Sequence, residues 1–206
     1  MGIGKVTPAA VFLDRDGVLN PTVLNPVTGR MESPLTPDDF HLVEGVIPAL
    51  LRLLSNGYLL VLVSNQPNFA LGKCSLEILA AIHRKLLAEL DRAGITFTRF
   101  SYCLHHPRGV TPGYAGFCVC RKPSPWFLLR ARDDFQLSLA HSWMIGDQPT
   151  DIRCGRAAGV RTIRVVSNPL PAPSSYPGPK LLLHADPAPD YTVPNLLEAA
   201  EIILAV

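Results

Sequence analysis

The sequence is short of the features that mark several large classes of protein. No run of lysine or arginine stands out, and the net charge over 206 residues is only +2. That balance argues against nucleic acid or an anionic membrane surface as partner. Small anionic substrates remain open, because a few placed cations suffice to hold them. Long apolar runs are also missing: the longest aliphatic stretch, Tyr58 to Val63, is far below the roughly 20 residues of a membrane span. Residues 1–13 hold one lysine and too short an apolar segment for a secretory signal, so a cytoplasmic protein is expected. There is no internal repeat. Cysteine is scarce, but three of the five crowd into residues 103–120 beside two histidines. In a reducing compartment, that clustering points to metal rather than to disulfides.

What is present suits one globular domain spanning residues 1–206, expected to be a monomer. Hydrophobic residues make up 48% of the chain, which excludes general disorder, and the length suits a single sizeable core. The apolar run at residues 9–13 stops at Asp14 and reads as a buried strand running into a polar loop. Residues 20–41 contain four prolines and little periodicity, and read as a long surface loop. Helical spacing of Val46, Leu50, Leu53 and Leu54 predicts a helix over 44–56 that stops at Gly57. Tyr58–Val63 is a second buried strand. Ser75 caps a helix reaching about Ala93, with Leu79, Ile82, Leu86 and Leu90 on its apolar face. A strand near Phe97–Tyr102 follows. A helix from Pro125, capped by Ser124, comes next. Trp143–Ile145, Thr150–Ala158 and Thr162–Val166 read as strand, helix and strand. Eight prolines in 167–194 mark an irregular excursion over 167–190. Tyr191–Val193 then rejoins the sheet edge, and Pro194–Leu204 closes as a helix. The alternation predicts an α/β fold: a Rossmann-like parallel sheet with helices on both faces. Ligands of such sheets bind at the carboxyl ends of the strands, where Asp14, Ser64 and Asp147 fall.

Four pieces of polar sequence carry the chemistry. Asp14-Arg15-Asp16-Gly17 puts two carboxylates two positions apart on one side of an extended chain. Phosphoryl transfer needs a nucleophile, a cation for the phosphate oxygens and a proton donor for the leaving oxygen. Asp14 can be the nucleophile and Asp16 can move the proton. The cation suited to a few carboxylates, water and phosphate is Mg²⁺. Taken alone, the same tetrapeptide also makes an ordinary turn. The second piece is Gly146-Asp147-Gln148-Pro149-Thr150-Asp151, in which Asp147 can complete the magnesium site. Asp151, one helical turn on, can order the loop or cap the helix. The third, Ser64-Asn65-Gln66, offers a hydroxyl and backbone N–H groups to phosphate oxygens. The fourth is Lys122, just ahead of a helix start that favours an anion.

The order of these four pieces resembles the haloacid dehalogenase superfamily of phosphatases across residues 9–166. The resemblance implies Asp14 as nucleophile, Asp16 as acid and base, and Ser64 and Lys122 as phosphate ligands, with Asn65 beside them. It also implies that magnesium is held by Asp14, the backbone carbonyl of Asp16, and Asp147.

Cys103-Leu104-His105 and Cys118-Val119-Cys120 supply three thiols and an imidazole, the donor set of a closed structural zinc site. His106 is an alternative to His105. The stretch between them is rich in Gly and Pro, so zinc would staple a loop over 103–121. Cys154 reads as a core residue. Cys-x-His followed by Cys-x-Cys-Arg-Lys-Pro is similar to the zinc-containing heptose bisphosphate phosphatases and their relatives, the histidinol-phosphate phosphatases. That resemblance implies removal of the 7-phosphate of D-glycero-D-manno-heptose 1,7-bisphosphate, a step toward lipopolysaccharide. It implies no large cap domain, and a pocket shaped by residues 20–41, 64–73 and 103–121. Arg121 is the candidate for the distal phosphate or sugar hydroxyls, because its planar fork suits paired oxygen contacts. The stretch Pro67-Asn68-Phe69-Ala70-Leu71 is bulkier than the small, glycine-containing stretch usual at that place. Arg15, Arg30, Lys73 and Arg121 are the cations available to a sugar bisphosphate. Glu32, Asp38 and Asp39 are the acids available to a cationic substrate such as histidinol phosphate. Two intact catalytic aspartates disfavour a third reading, a catalytically silent zinc-stapled binding module.

Overall fold

The computed structural model describes residues 7–166 and 187–206; most of the proline-rich excursion predicted over 167–190 therefore lies outside the described residues. Three short apolar strands form the centre: β1 (Ala10–Leu13), β4 (Leu59–Asn65) and β6 (Trp143–Gly146). Between β1 and β4 lie β2 (Val23–Asn25), β3 (Arg30–Glu32) and helix α1 (Val46–Ser55). Then come α2 (Leu76–Arg92), β5 (Arg99–Cys103) and α3 (Trp126–Phe135), and beyond β6 follow α4 (Pro149–Ala158), β7 (Arg161–Val165), β8 (Tyr191–Val193) and α5 (Leu196–Ala205). The main sheet runs β5-β4-β1-β6-β7-β8 with every pair parallel.

Alternation along the strands divides the core into two layers. Val11, Leu13, Leu60, Leu62, Trp143 and Ile145 pack with α1, α2 and α5 through residues such as Leu50, Ile82 and Ala199. Phe12, Val61, Val63 and Met144 face the other way, onto Leu128 and Ala131 of α3 and Cys154 and Ala158 of α4. Each of the large aliphatic side chains here contributes about 2 kcal/mol by leaving water. Both layers clamp β1, so the loop that starts at Asp14 grows from a fully buried strand paired on both edges. Among the described residues, no helix is long and apolar enough to cross a membrane.

Two local expectations change. The segment 20–41 is not structureless: β2 and β3 pair antiparallel within it, Leu24 opposite Met31. Pro21 and Pro26 obscure the hairpin in the sequence, yet both lie outside its strands. Asn25 instead makes the turn, its Oδ1 accepting from the N–H groups of Val27 and Thr28 at 2.9 and 3.3 Å. Helix α3 begins one residue later than expected, with Pro125 in the cap position, although Ser124 Oγ still accepts from the Trp126 N–H at 3.4 Å.

Candidate active site

The three central strands end side by side, which brings Asp14, the pair Ser64 and Asn65, and Asp147 to one edge of the sheet. Two glycines allow the loops to close on one another. Gly17 has φ +84°, and a Cβ there would lie 2.5 Å from Asp147 Cγ. A Cβ on Gly146 would lie 2.3 Å from Asp151 Cγ. Contacts that short do not occur between real side chains, so any larger residue pushes the acidic loops apart.

Lys122 runs into this edge from the far side. Its Nζ is 2.9 Å from Asp14 Oδ1 and 2.7 Å from Asp151 Oδ1, and donates to the Val63 carbonyl at 2.8 Å. Burial disfavours the ammonium, but Asp14 and Asp151 more than offset this and hold Lys122 above its ordinary range. One lysine cannot neutralise three carboxylates. Burial therefore pushes Asp14 up to about 7, against the pull of Lys122 and with help from Asp151, Asp147 and Asp16. Burial and then Asp151 raise Asp147 to about 6. Carboxylate oxygens of Asp14, Asp147 and Asp151 lie within 4.8 Å of one another, and Asp147 Oδ1 is buried with no hydrogen-bond partner. Hard oxygen donors, excess negative charge and an orphaned carboxylate oxygen together fit a magnesium ion.

Asp16 is held differently. Arg15 Nε donates to its Oδ1 at 3.0 Å, Asn20 Nδ2 to the same oxygen at 2.9 Å, and Gln66 Nε2 to Oδ2 at 2.6 Å. Burial raises this carboxyl, yet Arg15, Asn20, Gln66 and Ser33 together bring it below the usual range. With its side chain so occupied, Asp16 would reach a metal through its backbone carbonyl.

A cleft of about 330 Å³ opens over these groups. Asp14, Asp16, Asn65, Arg121, Lys122 and Asp147 all line it, as do parts of the three expected loops. Ser64 does not: its buried hydroxyl accepts from Gln66 Nε2 at 3.0 Å. Asn65 spends its amide on the main chain of Lys122, accepting from its N–H at 3.1 Å and donating to its carbonyl at 3.2 Å. Arg121 is half-buried and donates to the His105 carbonyl at 3.0 Å. Phe69 turns away from the cleft and packs edge-on against Tyr114, 4.8 Å between ring centroids, whereas Leu71 lines the cleft.

The sulfur and nitrogen atoms of Cys103, His105, Cys118 and Cys120 also lie within 4.8 Å of one another. His106 is outside the cluster, its Nδ1 accepting from the Arg108 N–H at 3.1 Å. Burial pushes the Cys103 and Cys120 thiols up. At Cys118, burial acts the same way but hydrogen bonds with Cys120 and Cys103 pull the thiol down. Three facing thiols do not all ionise unaided, and this donor set could hold a tetrahedral zinc ion. Cys154 is buried in the core, as expected, with its Sγ 3.2 Å from the Ser124 carbonyl.

Several residues of this site were not singled out from sequence for the part they play. Arg15, Asn20 and Gln66 clamp Asp16, and Lys73 bridges the cleft mouth to Glu32. A residue between two active carboxylates, as Arg15 is, carries some signal. Asn20 lies only four residues from Asp16 but reads as the start of a loop, and the partners of Gln66 and Lys73 lie tens of residues away and leave no signal.

Comparison with known proteins agrees with this geometry. The HAD-hydrolase-like family model matches residues 119–199. The D-glycero-beta-D-manno-heptose-1,7-bisphosphate 7-phosphatase of Vibrio cholerae is 39% identical over 74% of this chain and 78% of its own. The enzyme of the same name from Escherichia coli K12 is 36% identical over 78% of this chain and 79% of its own. The crystal structure of D,D-heptose 1,7-bisphosphate phosphatase from B. bronchiseptica, complexed with magnesium and phosphate, superposes with a TM-score of 0.72 at 26% identity, covering 96% of this chain and 98% of that one. With its parallel sheet, acidic strand ends and buried lysine, the chain belongs to the heptose bisphosphate phosphatase family of HAD-type phosphatases.

Proposed function

We propose that the protein removes the 7-phosphate from D-glycero-D-manno-heptose 1,7-bisphosphate through an aspartyl-phosphate on Asp14. The observation that carries this reading is the way Asp14 is held. Lys122 Nζ and the Arg15 N–H, at 2.7 Å, both contact Oδ1, which presents Oδ2 for attack. In the first step a bond forms from Asp14 Oδ2 to phosphorus, the bond to the sugar oxygen breaks, and Asp16 protonates that oxygen. In the second step water attacks phosphorus, Asp16 takes its proton, and Asp14 is released. The clamp on Asp16 favours its ionised form, which is the form needed in the second step.

Asp14, Asp147 and the Asp16 carbonyl would hold Mg²⁺, with Asp151 fixing Lys122 and the loop beside them. The ion would neutralise phosphate oxygens and keep Asp14 ionised despite its burial. Lys122, held by Asp14 and Asp151, would offer its charge to the oxygens of the reacting phosphate. The buried Ser64 supports this wall from behind through Gln66, and Asn65, itself on the cleft surface, fixes the Lys122 main chain. Zinc on Cys103, His105, Cys118 and Cys120 would fix the loop that presents Arg121 to the rest of the sugar. A cytoplasmic monomer acting in lipopolysaccharide synthesis fits this reading and keeps the thiols reduced.

A histidinol-phosphate specificity is less well supported. Of the three acids available to a cationic substrate, Asp39 is turned to the N–H groups of Leu35 and Thr36 at 3.1 and 2.9 Å. Glu32 is paired with Lys73. Phosphate release with Mg²⁺ decides the matter, measured on both anomers of the heptose bisphosphate, histidinol phosphate, fructose 1,6-bisphosphate and p-nitrophenyl phosphate. The expected result is a kcat/KM for one heptose bisphosphate anomer at least about a hundredfold above the others. Preference for histidinol phosphate would replace the substrate while leaving the chemistry intact.

A further inference from the structure

A sugar bisphosphate carries a second phosphate that takes no part in the reaction, and this dianion needs its own cations. Of Arg15, Arg30, Lys73 and Arg121, only Lys73 and Arg121 line the cleft. Arg15 is buried against Asp16, and Lys122 is committed at the cleft floor to Asp14 and Asp151.

Lys73 stands at the mouth with its ammonium 2.6 Å from Glu32 Oε2 and 2.7 Å from Oε1. Its backbone is fixed. The Lys73 N–H donates to the Asn68 carbonyl at 2.8 Å, and the turn is tied to the zinc loop by the Val110 N–H on the Ala70 carbonyl at 2.7 Å and Thr111 Oγ1 on the Phe69 carbonyl at 2.8 Å. The side chain is not fixed in the same way. Some 30% of it is accessible, and Glu32 is its ion-pair partner. Glu32 in turn keeps other donors, Thr28 Oγ1 at 2.8 Å and Asn25 Nδ2 at 3.1 Å. Those two bonds remain when the ammonium moves, so Glu32 is not left bare.

We propose that Lys73 is a specificity-determining residue of the cleft: its ammonium passes from Glu32 to the non-reacting phosphate of the substrate and binds it together with Arg121. This rests on the bisphosphate reading above. Steady-state kinetics of Lys73→Met, Lys73→Arg and Glu32→Gln test it, each on the heptose bisphosphate and on p-nitrophenyl phosphate, which has no second phosphate. Lys73→Met is expected to raise KM for the bisphosphate by about tenfold to a hundredfold, the range for a lost charged hydrogen bond. Its effect on kcat/KM for p-nitrophenyl phosphate should stay within about twofold, since that ester reads only the reacting end. Lys73→Arg should restore most of the binding. Glu32→Gln should leave the bisphosphate KM at or below that of the parent, because it releases the lysine. Equal losses in Lys73→Met and Glu32→Gln on both substrates would mean that the pair only clamps the hairpin, and would overturn the proposal. An unchanged bisphosphate KM in Lys73→Met would overturn it as well. If the parent rejects heptose bisphosphate but turns over fructose 1,6-bisphosphate, the substrate reading fails. The Lys73 test is then read on that sugar, with the same outcomes.

Discussion

At the floor of the cleft, a single buried lysine touches Asp14, Asp151 and the end of β4, between the ends of β1 and β4 and the first turn of α4. At the mouth, a partly exposed lysine meets one glutamate on a hairpin, and the loops beside it hang on a cluster of three thiols and an imidazole. The floor is built from charges that cannot move without leaving a buried partner bare. The mouth is built from charges with somewhere else to go. Chemistry shared by a superfamily belongs in the first kind of structure, and selection of a particular substrate belongs in the second.

The sharpest way to break the comparison is to change the floor. Asp14→Asn should cut turnover by roughly 10⁴-fold or more, as removal of a nucleophile does, with the circular dichroism spectrum and melting temperature little changed. Retained turnover would sink the aspartyl-phosphate route. Lys122→Met should go further and damage the fold itself, since it leaves Asp14 and Asp151 buried without their cation. A loss of about 3–5 kcal/mol in denaturant unfolding is expected, and a loss below about 1 kcal/mol would show that the floor relaxes more easily than its geometry implies.

Magnesium and pH sharpen the same contrast. Asp14 and Asp147 sit at about 7 and about 6 when folded, above their ordinary 3.8. Between pH 4 and 7 the metal-free folded protein therefore binds more protons than the unfolded chain, and these two groups make stability fall as pH rises. Bound magnesium favours the ionised carboxylates, so the rise in melting temperature on adding Mg²⁺ should be larger at pH 7.5 than at pH 5. An equal rise at both would place the ion elsewhere. The smallest effect on chemistry belongs to the mouth. Verified removal of zinc, or Cys118→Ser, should lower the melting temperature by several degrees, in line with a loss of about 1–2 kcal/mol. It should also raise KM for the natural sugar more than it lowers kcat for p-nitrophenyl phosphate.

Much of the floor was legible in the sequence because its information is local. Asp14 and Asp16 two apart and Asp147 and Asp151 four apart fix their neighbours by backbone geometry alone, and at the mouth the Cys-x-His and Cys-x-Cys pairs are legible in the same way. The order of strands and helices was legible for the same reason. What depends on long-range packing was not. Lys122 read as a cation at a helix start, but its Nζ ends among β1, β4 and α4, and α3 begins only at Trp126. Ser64 read as a phosphate ligand, but β4 continues through Asn65, and it is Asn65 that lines the cleft while the Ser64 hydroxyl turns to Gln66. A shift of one residue along a strand reverses the direction of a side chain. The hairpin over 23–32 was hidden by prolines that sit beside its strands rather than in them.

The position of β1 has a consequence for the timing of synthesis. β1 pairs on one side with β4 and on the other with β6, Val11 opposite Leu60 and Trp143. Once everything through α3 has emerged from the ribosome, Asp14, the clamp on Asp16 and Lys122 are outside, but Asp147 and Asp151 are not. Until Trp143–Asp151 clears the exit tunnel, one flank of β1 is an open edge and Lys122 lacks one of its two carboxylates. The nascent enzyme therefore lacks a complete site for most of its translation, and the acidic site and the second flank of β1 are completed in the same short interval, when β6 and the start of α4 emerge.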